Sequence, residues 1–175
     1  MKKHFINFLL LIIIVCSIFW LGGINVRAIV VNELFYTGTL EWKSNLSPDY
    51  YSAIFKVITI SSIYAMVSYL FLFISVILYL SLSKIDLKSK GWLMASIILF
   101  FLFSPVEIYT SVYDFKFIYE YYFGTADYYY LKELLNKRLT SLSGLPVIAL
   151  FSYYTILILF VWKPLDKTKT NSQNI

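Results

Sequence analysis

Hydrophobic residues are gathered into four long runs, and short charged or polar segments separate them. The runs cover residues 5–24, 57–82, 92–112 and 145–162. A helix needs roughly 20 apolar residues to cross the hydrocarbon core of a bilayer. Because the runs lack the apolar–polar alternation of barrel strands, they are predicted to be helices. The predicted fold class is all-α: a polytopic integral membrane protein built as a four-helix transmembrane bundle.

Composition agrees with this fold class. The chain has 175 residues, of which 59% are hydrophobic and 14% charged. Too few polar residues remain to surround a soluble core, and the four runs leave no room for a separate enzymatic domain. We therefore expect a single four-span membrane domain over residues 1–162, followed by a polar tail over residues 163–175. The basic start of the chain is typical of a signal peptide, but the long first run favours an uncleaved helix.

The second helix has a clear start. Ser47 is a suitable N-cap, Pro48 suits the first helical position, and Asp49 places an acid in the first turn. Nothing breaks the helix before about Leu82, so it is longer than the bilayer is thick. The preceding outer segment runs from Asn25 to about Ser47, and within it residues 32–40 fit a short strand, a hairpin arm or a helix end.

The third helix begins after Gly91 and contains Pro105, which removes one helical hydrogen bond and favours a kink. It either ends near the limit of the apolar run or continues past Asp114 toward Phe123, where Gly124 would stop it.

An amphipathic helix is predicted near Ala126–Leu142, with an N-cap in Thr125-Ala126-Asp127. Lys132 and Asn136 should face water, and Ser143–Pro146 should turn the chain into the last span. Such a helix most naturally lies in the outer membrane interface. The side chains expected on its buried face are Leu131, Leu135, Leu139 and Leu142.

The distribution of lysines predicts the orientation. Three short segments, residues 1–4, 83–91 and 163–175, are dense in lysine, which places both termini in the cytoplasm by the positive-inside rule. The membrane expected is the plasma (inner) membrane. The net charge of +5 is spread over both sides and forms no basic stripe, so nucleic acid is not an expected partner. The lysines concerned are Lys2, Lys3, Lys84, Lys88, Lys90, Lys163, Lys167 and Lys169.

Residue types that carry common membrane chemistry are scarce. His4 is the only histidine and Cys16 the only cysteine, so the sequence offers no histidine pair for haem and no cluster for zinc or iron. Glycine-rich phosphate loops and a serine nucleophile elbow are also missing from the sequence. We therefore predict no enzymatic activity, no catalytic residue, no metal and no cofactor.

Glu107 is the most informative polar residue. It lies about 22 Å along the third helix from Trp92, within a core about 30 Å thick. An intramembrane carboxylate is costly and is a functional hypothesis by default, and Pro105 beside it frees a carbonyl. One interpretation is an ion, proton or ligand site. The other is a structural ion pair with Arg27, Lys56 or Arg138.

Arg27 is predicted near the outer boundary, where it either anchors the first helix in the interface or pairs with Glu33 or Glu107. The tyrosine-rich run over residues 119–130 fits an aromatic belt at the same interface. The predicted function is that of a non-enzymatic accessory or assembly component of a membrane complex. The alternative is a small oligomeric transporter or channel that uses Glu107. The expected partners are the lipid bilayer and either another protein or further copies of this chain.

Overall fold

The computed structural model describes residues 2–83, 85–124 and 127–164. Within these ranges the regular elements are five helices and there is no β-strand, which confirms the all-α class. Four of the helices are long and apolar enough to cross a membrane, as the hydrophobic runs predicted. The helices are α1 (Lys2–Asn32), α2 (Pro48–Ser83), α3 (Gly91–Phe123), α4 (Tyr128–Thr140) and α5 (Leu145–Trp162).

The chain divides into two compact units. Unit 1 comprises Met1–Ser83 and Asp114–Leu134, and unit 2 comprises Lys84–Tyr113 and Leu135–Ile175. Helices α3 and α4 therefore contribute residues to both units. The single domain over residues 1–162 stays a prediction, and the tail beyond Pro164 lies outside the described residues.

Helix α1 is longer than the apolar run that predicted it. The segment from Asn25 was expected to be extramembrane, but the helix continues to Asn32. Two polar side chains that end the apolar run are accommodated within the helix. The Asn25 side-chain amide donates to the Leu21 carbonyl, and Arg27 is buried. Because these groups have partners, polarity at this point does not end the helix.

The loop between α1 and α2 is a short hairpin. The hairpin arm was one of the three alternatives left open by its sequence. Phe35 and Trp42 form an isolated antiparallel bridge, and their rings lie 4.7 Å apart. Gly38 turns the chain with φ of +77°, a conformation that glycine adopts without steric cost. The next helix begins where predicted, since the Tyr50 N–H donates to the Ser47 hydroxyl.

Helix α3 follows the longer of its two predicted courses. It remains helical through Pro105 and Asp114 and ends at Phe123. The Gly124 N–H then donates to the Glu120 carbonyl and closes the last turn. Helix α3 has 33 residues, whereas a bilayer core requires roughly 20. Its C-terminal part is therefore longer than the crossing needs.

Helix α4 confirms most of the predicted amphipathic pattern. Leu131, Leu134 and Leu135 are buried, whereas Leu139 and Leu142 are half-buried. The expectation that Lys132 faces water is wrong, since its ammonium lies 3.8 Å from the centre of the Tyr51 ring. Residues 125 and 126 of the predicted N-cap lie outside the described residues. Asp127, the third residue of the predicted cap, accepts a hydrogen bond from the Tyr129 N–H.

Unit 2 is organised by aromatic contacts between α3 and α5. Tyr153 is buried, and its ring meets Phe100 at 6.2 Å and Phe103 at 6.5 Å. At the other end of the same helices, Trp92 and Phe160 meet edge to face at 5.9 Å. The turn before α5 has Gly144 at φ of +88°, as the Ser143–Pro146 sequence predicted.

Candidate functional site: a buried ion pair and an exposed aromatic stripe

Three polar residues of unit 1 lie at nearly equal distances along three helices, α1, α2 and α3. Arg27 follows Phe5 by 22 residues, Asp114 follows Trp92 by 22 residues, and Ser62 precedes the last residue of α2 by 21 residues. At 1.5 Å per residue, each lies about 32–33 Å from the opposite end of its apolar helix. We call the end of unit 1 that carries these residues the distal end.

The three side chains lie together in one buried cluster. The Arg27 guanidinium donates from Nη1 to Asp114 Oδ2 at 2.6 Å and to the Ser62 hydroxyl at 3.1 Å. Arg27 is 4% exposed, Asp114 5% and Ser62 1%, so the charges have little access to solvent. A charge-assisted bond of this length is among the stronger polar contacts in proteins. The cluster therefore ties α1, α2 and the C-terminal part of α3 together.

Close packing of α1 on α2 brings Arg27 to Ser62. A Cβ atom built on Gly23 would lie 3.3 Å from Ala65 Cβ and 3.4 Å from the Ser61 carbonyl oxygen. These distances are tighter than most contacts of a Cβ atom, so even an alanine at position 23 would push Ala65 away slightly. Small residues allow helices in lipid to approach closely. Since Gly23 and Arg27 are four residues apart, they share one face of α1. Gly23 allows α1 and α2 to approach closely, and at this separation the Arg27 guanidinium reaches the Ser62 hydroxyl on α2.

An aromatic cluster covers the ion pair on the distal side. We call it the distal cluster, and Phe55, which is fully buried, lies at its centre. The Phe55 ring lies 5.6 Å from Phe117, 6.1 Å from Tyr128 and 6.1 Å from Tyr51. The remaining members are Phe35 and Trp42 of the hairpin, and Lys132, whose ammonium lies over the Tyr51 and Trp42 rings.

A second group of aromatic side chains on α3 is exposed. Phe115, Tyr119 and Phe123 repeat every four residues and are 59%, 57% and 77% exposed. We call these three residues the aromatic stripe. The Tyr119 and Phe123 rings lie 5.6 Å apart. Asp114 and Phe117, from the same part of the helix, are buried in unit 1, so the stripe stands on a segment whose other face is fixed.

Glu107 and Pro105, the other residues singled out by the sequence, belong to unit 2. Glu107 is 9% exposed, whereas Pro105 is exposed. The Ser104 hydroxyl donates to the Phe100 carbonyl, and the Thr110 hydroxyl donates to the Glu107 carbonyl. The buried positions of α3 recur every three or four residues, and most are polar: Ser96, Phe100, Ser104, Glu107, Thr110, Asp114 and Phe117.

The structure gives Arg27 a partner that the sequence analysis did not name. Glu33, one of the expected partners, instead lies 3.8 Å from Lys43 in an exposed pair. Arg27 is 4% exposed, and its position at the membrane interface stays a prediction. The signal for Asp114 was present in the sequence, since it lies as far along its apolar helix as Arg27 does along α1.

The chemistry of the site is that of a neutralised ion pair next to a hydrophobic surface. Within the described residues, no group of three or more His, Cys, Asp or Glu side chains could hold a metal ion. Comparison with protein-family models, curated proteins and solved structures gave no match.

Proposed function

We propose that this chain is a non-enzymatic accessory or assembly component of a membrane complex, and that it docks a partner protein through the aromatic stripe. The observation that carries the proposal is the exposure of Phe115, Tyr119 and Phe123 on one face of a rigid helical segment. In this proposal the distal end lies outside the cell, both termini are cytoplasmic, and the membrane is the plasma membrane.

The height of the stripe supports a protein contact. Counted from Trp92, Phe115 lies about 34 Å and Phe123 about 46 Å along α3, while the hydrocarbon core is about 30 Å thick. The position of Phe115 suits an interfacial aromatic belt, but Phe123 extends beyond the hydrocarbon. Exposed aromatic surface in that position is costly in water and is typical of protein interfaces.

The rigidity of the stripe also favours docking. Its helix is fixed on the opposite face by the Asp114–Arg27 ion pair and by the Phe117–Phe55 ring contact. A surface that is already ordered loses little conformational entropy when a partner binds. Aromatic residues on such a surface are the side chains that most often dominate binding energy.

Affinity purification in mild detergent tests the proposal. The parent chain should retain one partner at constant stoichiometry, and Tyr119→Ala/Phe123→Ala should lose it while remaining folded. The matched control is Phe71→Ala/Phe151→Ala, which removes two exposed rings from the spans. Equal retention by both double variants, or no stoichiometric partner for the parent, would contradict the proposal.

One observation favours a second function, that of a small oligomeric transporter or channel. The buried face of α3 is unusually polar and includes the Glu107 carboxyl group. Polar and ionisable side chains that face inward within a membrane often mark ion or proton pathways. Under this alternative, Glu107→Gln should abolish ion or solute flux in proteoliposomes, whereas Glu41→Gln, at an exposed hairpin position, should not change it. Absence of flux for the parent chain would reject the alternative.

A further inference from the structure

An apolar groove of about 420 Å³ runs between α1 and α2. Phe19, Gly22 and Val26 line it from α1, and Val57, Ile60 and Tyr64 line it from α2. All six residues belong to unit 1. The groove is therefore a feature of a single unit and is separate from the aromatic stripe.

The two adjacent glycines of α1 have different environments. Gly23 packs against α2, but no described atom lies within 4 Å of the position that a Gly22 Cβ would occupy. Gly22 thus leaves open space in the wall of the groove. Phe19 and Tyr64 rise on either side and are 58% and 61% exposed. The result is a narrow channel with apolar walls that opens toward the surroundings of the helices.

The position of the groove along α1 corresponds to the outer leaflet of a bilayer. Along α1 it extends from Phe19, about 21 Å from Phe5, to Val26, about 32 Å from Phe5. This interval covers the outer acyl chains and reaches the headgroup boundary of a core about 30 Å thick.

The rim of the groove at the distal end of unit 1 carries a positive charge. Lys56 is exposed and precedes Ile60 by one helical turn, so it lies beside the groove and about 6 Å beyond that residue. Arg27, next to Val26, is already neutralised by Asp114. Asp49, the next charge on α2, is seven residues further from the groove than Lys56, about 10 Å along the helix.

We propose that this groove is a binding site for an anionic phospholipid. One acyl chain lies in the groove over Gly22, and the phosphate group meets the Lys56 ammonium. A phospholipid carries an apolar chain and a negative charge at the relative depths where the groove and Lys56 lie, and a lysine near the headgroups attracts anionic lipid. This complementarity selects an anionic phospholipid over an apolar partner helix, which would leave the rim charge unused.

Lipid retention measures the proposed selectivity. The full chain is reconstituted in equimolar dioleoyl phosphatidylglycerol and dioleoyl phosphatidylcholine, extracted in mild detergent, and its retained lipids are quantified by mass spectrometry. The parent should be enriched in phosphatidylglycerol by about fivefold, the effect expected for one lysine near the headgroups. Lys56→Gln should bring the ratio close to one, and Lys56→Arg should restore it.

A second variant tests the groove itself. Gly22→Leu should reduce the total lipid retained, whereas Ala28→Leu, which places the same side chain at another exposed position of α1, should leave it unchanged. Lys116→Gln provides the matched charge control and should keep the fivefold preference.

Four results would overturn the proposal. They are equal retention of both lipids by the parent, an unchanged ratio in Lys56→Gln, unchanged retention in Gly22→Leu, and a stable dimer that Gly22→Leu dissolves. The last result would assign the groove to a second copy of the chain. Because none of these measurements involves the aromatic stripe, the lipid site and the proposed docking function succeed or fail independently.

Discussion

The buried ion pair leads to a prediction about stability. Replacement of Asp114 by asparagine removes the negative charge and leaves the Arg27 guanidinium buried at 4% exposure. Replacement of Arg27 by methionine leaves the Asp114 carboxylate in the same position. Each single change should cost about 3–5 kcal/mol, the usual penalty for breaking a buried ion pair by removing one of its two charges.

The double variant distinguishes the attraction between the two charges from the free-energy cost of burying them. Arg27→Met/Asp114→Leu removes both charges and fills the space with apolar groups, which should cost no more than about 2 kcal/mol. With Asp114→Leu as the matching single change, the Arg27→Met and Asp114→Leu variants together should cost about 6–10 kcal/mol, so the coupling energy should be at least about 4 kcal/mol.

The assay is equilibrium unfolding in mixed micelles, with loss of helical signal followed as the denaturing detergent fraction rises. The chain contains its own control, the Glu33–Lys43 pair, whose side chains are 58% and 27% exposed and lie 3.8 Å apart. The same cycle with Glu33→Gln and Lys43→Gln should give a coupling energy below about 1 kcal/mol. Similar coupling for the two pairs would refute the reasoning, as would an Asp114→Asn protein that is as stable as the parent.

Three further predictions use other parts of the chain. Gly23→Leu should destabilise the protein by about 1–3 kcal/mol, measured in the same micelles, because its side chain has no room on α2. Leu135→Asp should cost a few kcal/mol, because it buries a charge, whereas Asn136→Asp on the half-buried face should change stability by less than about 0.5 kcal/mol. Equal costs would mean that the buried face is wrongly assigned. For topology, single cysteines at Trp42 and Lys88, in a chain whose native cysteine is serine, should react with an impermeant reagent from outside only at position 42. Labelling at position 88 instead would reverse the orientation.

The helices were predictable because each depends on local patterns. Four apolar runs gave the spans, and Ser47 with Pro48 gave the start of α2. The end of α1 was missed because it depends on tertiary contacts. Asn25 and Arg27 look like the end of a buried segment, but each has a hydrogen-bond partner in the fold. Sequence polarity does not show whether such a partner is present.

The candidate site was only partly predictable for the same reason. Arg27 and Glu107 attract notice because charges within apolar helices are rare. Asp114 did not, because it lies just beyond the apolar run of α3 and resembles an ordinary solvated acid. Its pairing with Arg27 joins residues 87 positions apart. Lys132 was assigned to water by helix periodicity, but the position of the hairpin places it over two rings. Periodicity identifies a helix face and does not identify what the rest of the chain brings to that face.

The distribution of burial indicates which part of unit 1 fixes its helices. In the most apolar windows of the four spanning helices only 11–22% of residues are buried, so most of these side chains face outward. Surrounding lipid is as apolar as those side chains, and helices gain little there from the hydrophobic effect. Where water surrounds a protein the hydrophobic effect does act, and in unit 1 Phe55, Leu34 and Leu131 are almost fully buried. The Arg27–Ser62 hydrogen bond and the close approach of Gly23 to Ala65 join α1 to α2, whereas the ring contacts of the distal cluster join the hairpin to α2, α3 and α4. The spans hold the chain in the membrane, whereas the distal end sets the geometry of the surface that it presents.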